Sequence, residues 1–199
     1  FYHVRVKPGV VGRFVLMPGD PDRVPIIARF LHQAKKISSH REFTVYNGYV
    51  DDELVTVVST GIGSPATAIV VEELSMAGAS TFIRVGTCGA IQKEVKIGDL
   101  VIASSAVRMD GTSKQYVSSE YPASASIDAT LALASAAHKL GYRFHVGIAA
   151  TTDSFYVGQG RHGFQHYTPL HSKSLLKEMQ KIRVLCFEME SSTLFTLAN

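Results

Sequence analysis

Short apolar runs alternate with helical stretches along this chain, and several of the apolar runs stop at a glycine. The periodicity predicts strands at 14–17, 43–50, 54–60, 81–85, 100–107, 146–151 and 184–187, and helices at 24–31, 65–76, 125–140 and 175–179. Asp51 and Asp52 have the composition of a hairpin turn between two of these strands. The alternation is typical of an α/β protein in which helices cover both faces of a largely parallel sheet.

Composition narrows the class of protein further. The 199 residues are 46% hydrophobic and 19% charged, which suits one globular domain with a sizeable core. A net charge of +3 without clustered Lys and Arg argues against a nucleic-acid surface and favours an anionic small molecule as ligand. No apolar run is long enough to cross a bilayer and the first residues lack signal-peptide character, so we expect a cytoplasmic protein without membrane contact.

The chain contains two cysteines, Cys88 and Cys186. Two cysteines are too few for a disulfide framework or a zinc knuckle, so we expect a reducing compartment and assign no metal ligands. Both thiols are expected to be small, buried apolar groups.

The stretch VLMPGDPDRV, residues 15–24, allows two interpretations. In the first, Asp20 caps a helix, Pro21 takes its first position and Arg23 is a solvated surface charge. In the second, Gly19 lets the backbone approach an anion that Arg23 binds at the start of the helix. These ten residues alone do not decide between the two.

Three further loops, at 60–63, 85–89 and 155–161, end apolar runs at glycine. In a parallel α/β sheet such loops gather at the carboxyl edge, where ligands bind. The loop at 60–63 overlaps the stretch GIGSPA, residues 61–66, which matches the dinucleotide-binding fingerprint. The acidic residue expected about 20 positions later is absent, so these glycines are expected to form a tight strand-to-helix turn.

Arg84 lies within the apolar run TFIRVGT, where burial of a guanidinium requires an anionic partner. A structural carboxylate, Glu72 or Glu73, is one candidate for that partner. Thr87 follows in a glycine loop, and a second glycine loop carries Arg23. Two arginines, a hydroxyl and backbone amides at strand ends also describe a phosphate site.

The stretch CFEMES, residues 186–191, places two glutamates directly after a predicted strand. In extended backbone Glu188 and Glu190 point to one side, where they can chelate the vicinal hydroxyls of a ribose. The alternative is a helix that begins with acidic residues favourable to its dipole, which suits Glu190 better than Glu188.

Taken together, PGDPDR, SHREF, STGIGSPA, RVGTCGAI, DSFYVGQGR and FEMES occur in an order and spacing that resemble the nucleoside phosphorylase family, most closely its bacterial uridine-cleaving branch. The resemblance covers essentially the whole chain. It implies a three-layer α/β/α sandwich with a mixed, distorted central sheet. It also implies a single domain over residues 1–199 that lacks the C-terminal strand and helix of the family.

The resemblance also implies roles for individual residues. Phosphate contacts fall on Gly19, Arg23, Arg41, Arg84 and Thr87, with Arg41 supplied to a neighbouring subunit. Nucleoside contacts fall on His3, Phe155, Gln159, Arg161, Glu188, Met189 and Glu190, with His3 serving the 5′-hydroxyl of a neighbour's ribose. The residues expected to act most directly in catalysis are Arg84, Thr87, Gln159, Arg161 and Glu190.

The expected activity is phosphorolysis of uridine, and of deoxyuridine, to uracil and a ribose 1-phosphate, in pyrimidine salvage. Inorganic phosphate is then a co-substrate, no cofactor is needed, and the expected assembly is a homo-oligomer, a hexamer built from dimers with shared sites. Some relatives bind a monovalent cation between subunits. Glu42 fits one ligand, but Ala66 stands where a serine is usual, so such a cation is left open. The alternatives are a purine nucleoside phosphorylase and a non-catalytic nucleoside-binding protein.

Overall fold

The computed structural model describes all 199 residues, and the chain divides into two compact units. Unit 1 consists of residues 1–86 and unit 2 of residues 87–197, while Ala198 groups with the first and Asn199 with the second. The expectation of a single domain over residues 1–199 stays a prediction. No helix of the chain is both long and apolar enough to span a bilayer.

Unit 1 contains a five-stranded sheet and two helices. Its elements are β1 (Phe14–Met17), α1 (Arg23–Ala28), β2 (His32–His40), β3 (Phe43–Val50), β4 (Glu53–Val58), α2 (Ser64–Ala77) and β5 (Thr81–Arg84). The strand order is β2-β3-β4-β1-β5. β1 pairs in parallel with β4 and β5, whereas the pairs β2–β3 and β3–β4 are antiparallel.

A second five-stranded sheet lies in unit 2. The elements that begin there are β6 (Gly89–Ala90), β7 (Leu100–Met109), α3 (Ser113–Tyr116), β8 (Ala123–Ser124), α4 (Ile127–Lys139), β9 (Phe144–Thr152), α5 (Ser172–Lys181), β10 (Cys186–Glu188) and α6 (Ser191–Ala198), with 3₁₀ turns at Val157–Gln159 and Phe164–His166. The strand order is β6-β10-β9-β7-β8. β9 pairs in parallel with β7 and β10, and the two outer pairs are antiparallel.

The α/β class is confirmed, and the sheets are mixed, as the family resemblance implies. The largely parallel sheet inferred from the alternation alone is wrong, because each sheet contains two parallel and two antiparallel pairings. The strand β2 was missing from the expected elements. Its sequence, HQAKKISSH, is polar and mostly exposed, so it has no apolar period and forms a strand through its pairing with β3.

The opening motif differs locally from the capped helix that its sequence suggested. The helix α1 begins at Arg23, with Asp22 in the N-cap position and no capping bond from its side chain. Instead, Oδ1 of Asp20 accepts a hydrogen bond from the backbone N–H of Asp22 at 2.9 Å. The predicted cap at Asp20 and the helical position of Pro21 are therefore wrong, because this carboxylate closes a turn ahead of the helix.

The two cysteines also differ in burial. Cys186 on β10 is buried, but Cys88 is exposed, so the prediction of two buried thiols is wrong for Cys88. The register that pairs Phe187 with Gly89 brings the two side chains together. A hydrogen bond between the thiols lowers the pKa of Cys88 and, with burial, raises the pKa of Cys186.

Each unit has its own apolar cluster. In unit 1 the cluster consists of Val24, Ala28, Leu31, Val55 and Val57, all buried. The first three recur at helical spacing, so one face of the α1 segment packs on β4. In unit 2 the cluster consists of Ile91, Ala150, Leu175, Met179, Val184 and Phe187.

A buried carboxylate ties the end of β7 to the start of α6. Asp110 accepts hydrogen bonds from the backbone N–H of Ser113 at 2.6 Å and from its hydroxyl at 2.8 Å. The hydroxyls of Ser192 and Thr193 donate to the same carboxylate at 2.5 and 3.0 Å. Burial raises the pKa of Asp110, but the four hydrogen bonds outweigh it and hold the pKa below its ordinary value.

Replacing Asp110 with Asn should therefore destabilise the fold by about 2 to 3 kcal/mol at neutral pH, because an amide nitrogen would face groups that donate. The stabilisation by the carboxylate is fully present above its ordinary pKa, near 4, and is lost as the pH falls through the lower pKa of the folded state. Urea denaturation of both proteins at about pH 7 and about pH 3 measures the difference.

The difference between the urea midpoints of the wild type and Asp110→Asn should be smaller at the lower pH. Asp128→Asn is a matched control, because Asp128 is exposed in the first turn of α4. A gap of equal size at both pH values would contradict the stabilising role of the charged carboxylate.

Candidate active site

Three parallel strands of unit 1 end at the same edge of their sheet. The register pairs Leu16 with Val57 and Met17 with Arg84, so the loops that follow β1, β4 and β5 leave the sheet together. Backbone hydrogen bonds link these loops: Thr60 N–H donates to the carbonyl of Pro18 at 2.9 Å, and Val85 N–H donates to that of Met17 at 3.1 Å. These are three of the glycine loops that the sequence singled out.

Glycines surround the guanidinium of Arg84 at this edge. Its Nη1 donates to the carbonyl of Met17 at 3.1 Å. A Cβ on Gly19 would lie 3.2 Å from Nη2 of Arg84 and 3.2 Å from the carbonyl oxygen of Gly61, and a Cβ on Gly86 would lie 3.2 Å from Nη1. The glycines therefore leave the space that the guanidinium occupies, and the structure brings Gly19 and Arg84 together.

Glu73, one of the carboxylates considered for Arg84, binds the N-terminal segment. It accepts hydrogen bonds from the backbone N–H of His3 at 3.0 Å, from that of Val4 at 2.8 Å, and from Nδ1 of His3 at 2.7 Å. Burial raises the pKa of Glu73, but these hydrogen bonds outweigh it and lower the pKa overall. The carboxylate thus fixes the imidazole of His3, with Nε2 on the opposite side of the ring.

The other two predicted phosphate arginines of unit 1 are more exposed. Arg23 is 37% exposed, and its Nε lies 4.0 Å from the carboxylate of Asp20. Arg41 lies in the tight turn of the β2–β3 hairpin, with a left-handed φ of 54°, and its side chain points into solvent. Both stay predicted phosphate ligands.

The parallel strands of unit 2 also end at one edge. Thr151 pairs with Glu188, and Thr152 pairs with Met109, so β7, β9 and β10 terminate within one residue of each other in register. The loops that carry the predicted base and ribose contacts begin at this edge. Thr87, the remaining predicted phosphate contact, is exposed in the segment before β6.

The predicted base contacts lie together after β9. The guanidinium carbon of Arg161 is 4.2 Å from the ring centroid of Phe155, and its Nη1 donates to the carbonyl of Phe155 at 2.7 Å. The same Nη1 donates to Oε1 of Gln159, whose Nε2 donates to the hydroxyl of Thr152 at 3.2 Å. The Gln159 side chain is buried, whereas half of Phe155 is exposed even though Arg161 covers one face of its ring.

The two glutamates after β10 have different surroundings. Glu188 accepts from the hydroxyl of Thr151 through Oε1, and from the backbone N–H groups of Glu190 and Ser191 through Oε2 at 2.8 and 2.7 Å. Burial, together with the charge of Glu190, raises the pKa of Glu188 against these hydrogen bonds. Glu188 therefore fixes the start of α6, the role that the sequence suggested for Glu190.

Glu190 occupies the N-cap position of α6 and is buried, but its side chain makes no capping hydrogen bond. Met189, between the two glutamates, is half-buried. Both residues stay predicted ribose contacts.

Three residues hold predicted contact residues in place, a role that the sequence analysis assigned to none of them: Glu73 binds His3, Thr151 binds Glu188 and Thr152 binds Gln159. The signal for the threonines is the polar end of an apolar run, because β9 closes at its carboxyl edge with two adjacent hydroxyls. Glu73 has no such signal, since its partners are 69 and 70 positions away in the chain.

The turn before α2 has the backbone expected for a strand-to-helix connection. Gly61 and Gly63 have φ values of 69° and 93°, which favour glycine. Ala66, near this turn, has no side-chain oxygen to add to that of Glu42, and a monovalent cation here stays a prediction. No group of three or more His, Cys, Asp or Glu side chains is arranged to hold a metal ion.

A cavity of about 260 Å³ opens beside the 3₁₀ turn after β9, between Met109, Thr152, Asp153 and His171. None of the predicted phosphate or nucleoside contacts lines it, but Thr152, the hydrogen-bond partner of Gln159, does.

Comparison with known proteins agrees with the geometry. The chain is 54% identical over 198 residues to a uridine phosphorylase of Thermococcus kodakarensis, covering all of this chain and 72% of that protein. It is 44% identical over 183 residues to a uridine phosphorylase of Escherichia coli, covering 92% of this chain and 72% of that one. A guanosine phosphorylase of Halorubrum lacusprofundi is 38% identical over 196 residues, covering 98% of this chain and 76% of its own.

The family comparison covers nearly the whole chain. Residues 13–199 match the Phosphorylase superfamily, and this range includes every predicted phosphate contact and all the predicted nucleoside contacts except His3. With the glycine-lined arginine of unit 1 and the Phe155–Gln159–Arg161 cluster of unit 2, the match leads to one conclusion: this chain belongs to the phosphorylase superfamily.

Proposed function

We propose that this protein cleaves uridine, and deoxyuridine, with inorganic phosphate to give uracil and the corresponding pentose 1-phosphate, a reaction of pyrimidine salvage. The observation that carries the proposal is the guanidinium of Arg84, set among Gly19, Gly61 and Gly86 at the ends of parallel strands. Cationic groups and backbone amides at such an edge are the arrangement that binds phosphate. The names of the Thermococcus and Escherichia relatives support uridine as the nucleoside.

The reaction requires no nucleophile from the protein. As the glycosidic bond stretches, positive charge develops at C1′ of the ribose and negative charge on the base. Phosphate held by Arg23, Arg41, Arg84 and Thr87 attacks C1′, so the protein contributes position and charge rather than a covalent intermediate. Glu188 and Glu190 hold the ribose hydroxyls, and Met189 packs on the sugar.

The departing uracil anion spreads its charge onto its carbonyl oxygens. Gln159 and Arg161 donate hydrogen bonds to that charge, and each well-placed donor of this kind is worth about 3 to 4 kcal/mol in the transition state. Phe155 offers its exposed ring to the nucleoside. No organic cofactor takes part in such a step.

The proposal also covers the subunit assembly of the protein and the compartment in which it works. His3 and Arg41 serve the site of a neighbouring subunit, and the assembly is a hexamer built from dimers. The exposure of Arg41 on a hairpin turn and the fixed imidazole of His3 suit that role. The reaction takes place in the cytoplasm, in keeping with two cysteines that remain free thiols.

Replacing Arg84 with Ala should lower kcat/KM for phosphorolysis by about a hundredfold or more, because the loss removes a charged donor to phosphate. The fold should persist. Circular dichroism and the urea midpoint check this, because both report structure independently of activity. Arg13→Ala is the matched control, because Arg13 is 61% exposed just before β1, where it makes only surface contacts with Glu53 and with the ring of Phe14. Near-wild-type activity of Arg84→Ala would rule out the phosphate assignment.

Subunit exchange tests the shared site. Arg41→Ala and Arg84→Ala chains should each be inactive alone, but hybrid dimers should regain activity because one of the two pockets then has both arginines. Activity is measured after mixing and verified separation of differently tagged hybrids. Hybrids that stay inactive would place Arg41 in the site of its own chain.

The choice of base is tested with a panel of nucleosides, each with and without phosphate. Uridine should be cleaved faster than inosine, guanosine or adenosine, because the Gln159–Arg161 pair matches the edge of uracil and a mismatched base leaves buried donors unpaired. Gln159→Ala should reduce uridine cleavage far more than phosphate binding.

Because one of the relatives is a guanosine phosphorylase, the panel compares pyrimidine with purine nucleosides as substrates. Faster cleavage of a purine nucleoside by the wild type would overturn the pyrimidine assignment and leave phosphorolysis intact. Nucleoside binding without phosphate-dependent release of any base would indicate a non-catalytic binding protein.

A further inference from the structure

The amide of Gln159 lies in a chain of hydrogen bonds whose direction is fixed at both ends. At one end, Nη1 of Arg161 donates to Oε1 of Gln159, and a guanidinium has no acceptor with which to reverse that bond. At the other end, the hydroxyl of Thr152 donates to the carbonyl of Ser154 at 3.4 Å, and a carbonyl cannot donate. The hydroxyl oxygen of Thr152 is therefore left to accept from Nε2 of Gln159 at 3.2 Å.

We propose that Thr152 is a positioning residue which, together with Arg161, fixes the orientation of the Gln159 amide so that the site reads uracil and rejects cytosine. This inference rests on the proposed cleavage of uridine. Thr152 touches no substrate in this account, because it acts only through the amide that it orients.

An amide held in one orientation distinguishes uracil from cytosine, because the two bases carry opposite hydrogen-bonding groups at N3 and C4. Once Arg161 and Thr152 are bound, the amide presents one remaining lone pair on Oε1 and one remaining N–H on Nε2. Uracil offers an N–H at N3 and a carbonyl at C4, so donors meet acceptors at both positions. Cytosine offers an acceptor at N3 and an amino donor at C4, so both pairs are mismatched unless the amide turns over.

Packing keeps the orienting hydroxyl in place. Thr152 is 1% exposed at the end of β9, and Gln159 is 6% exposed. A Cβ added to Gly158 would lie 3.4 Å from Cβ of Thr152, so the 3₁₀ turn that carries Gln159 passes directly over the threonine. Turning the Gln159 amide over would set its NH₂ group against the guanidinium of Arg161, and buried donors would then face each other without an acceptor.

The experiment compares uridine and cytidine as ligands of wild-type protein and of Thr152→Val, which removes the hydroxyl at nearly constant volume. KM is measured for uridine, and the inhibition constant of cytidine is measured in competition with uridine. The expected result is a five- to tenfold narrowing of the preference for uridine over cytidine, with the KM for phosphate unchanged. Thr152→Ser, which keeps the hydroxyl, should retain the wild-type ratio.

Thr152→Cys gives a second test if the valine variant does not fold, because a thiol fills the site but accepts hydrogen bonds weakly. Equal weakening of uridine and cytidine in the valine and cysteine variants would make Thr152 a structural residue only and overturn the inference. Failure of the wild type to cleave any pyrimidine nucleoside with phosphate would overturn the proposed function itself, and this inference with it.

Discussion

The parallel pairing of strands decides where the chemistry of this chain can lie. In unit 1, β1 runs between β4 and β5, and in unit 2, β9 runs between β7 and β10. Parallel neighbours end at the same edge of the sheet, so the loops that follow them lie close together whatever the sequences of those loops are. The antiparallel strands lie outside these trios and widen each sheet.

Three carboxylates with little exposure to solvent hold two of these loops and the N-terminal segment. Glu73, Asp110 and Glu188 each accept three or more hydrogen bonds from backbone, hydroxyl or imidazole donors, which reduces the cost of removing their charge from water. Each joins segments far apart in the chain: residues 3 and 4 to α2, the end of β7 to α6, and β9 to the turn after β10. The rigidity of these connections determines how precisely the predicted contact residues can be held.

Much of the fold could be read from the sequence because apolar periodicity reflects burial. The strand at 14–17 and the strand at 43–50 have the predicted bounds, and the glycine loops lie at strand ends as expected. The strand β2 could not be read, because its residues face solvent and only backbone pairing with β3 makes it a strand. Single-residue capping was equally beyond reach, since the choice between Asp20 and Asp22 depends on the turn as a whole.

The residues of the candidate site also fall into two groups, those that could be predicted from the sequence and those that could not. The side chains that face a ligand are recognisable from motifs, because a phosphate or a base demands particular chemical groups. The groups that orient them are not, because Thr152 and Glu73 act through geometry that exists only after folding. Glu188 and Glu190 show the same limit: the two side chains are identical and two residues apart, but only Glu188 accepts from the amides at the start of α6 and from the hydroxyl of Thr151.

The edge strand β2 has a consequence for the behaviour of the protein in concentrated solution. A nine-residue strand at the margin of a sheet is a template for further strands, and unprotected edges of this kind seed ordered aggregates. Here the pairing with β3 is interrupted twice, between His32 and Lys35 and again between Lys36 and Ser38. These irregularities interrupt the ladder, and the exposed Lys35 and Lys36 add two charges to the same strand, both features that oppose pairing with a further strand at this edge.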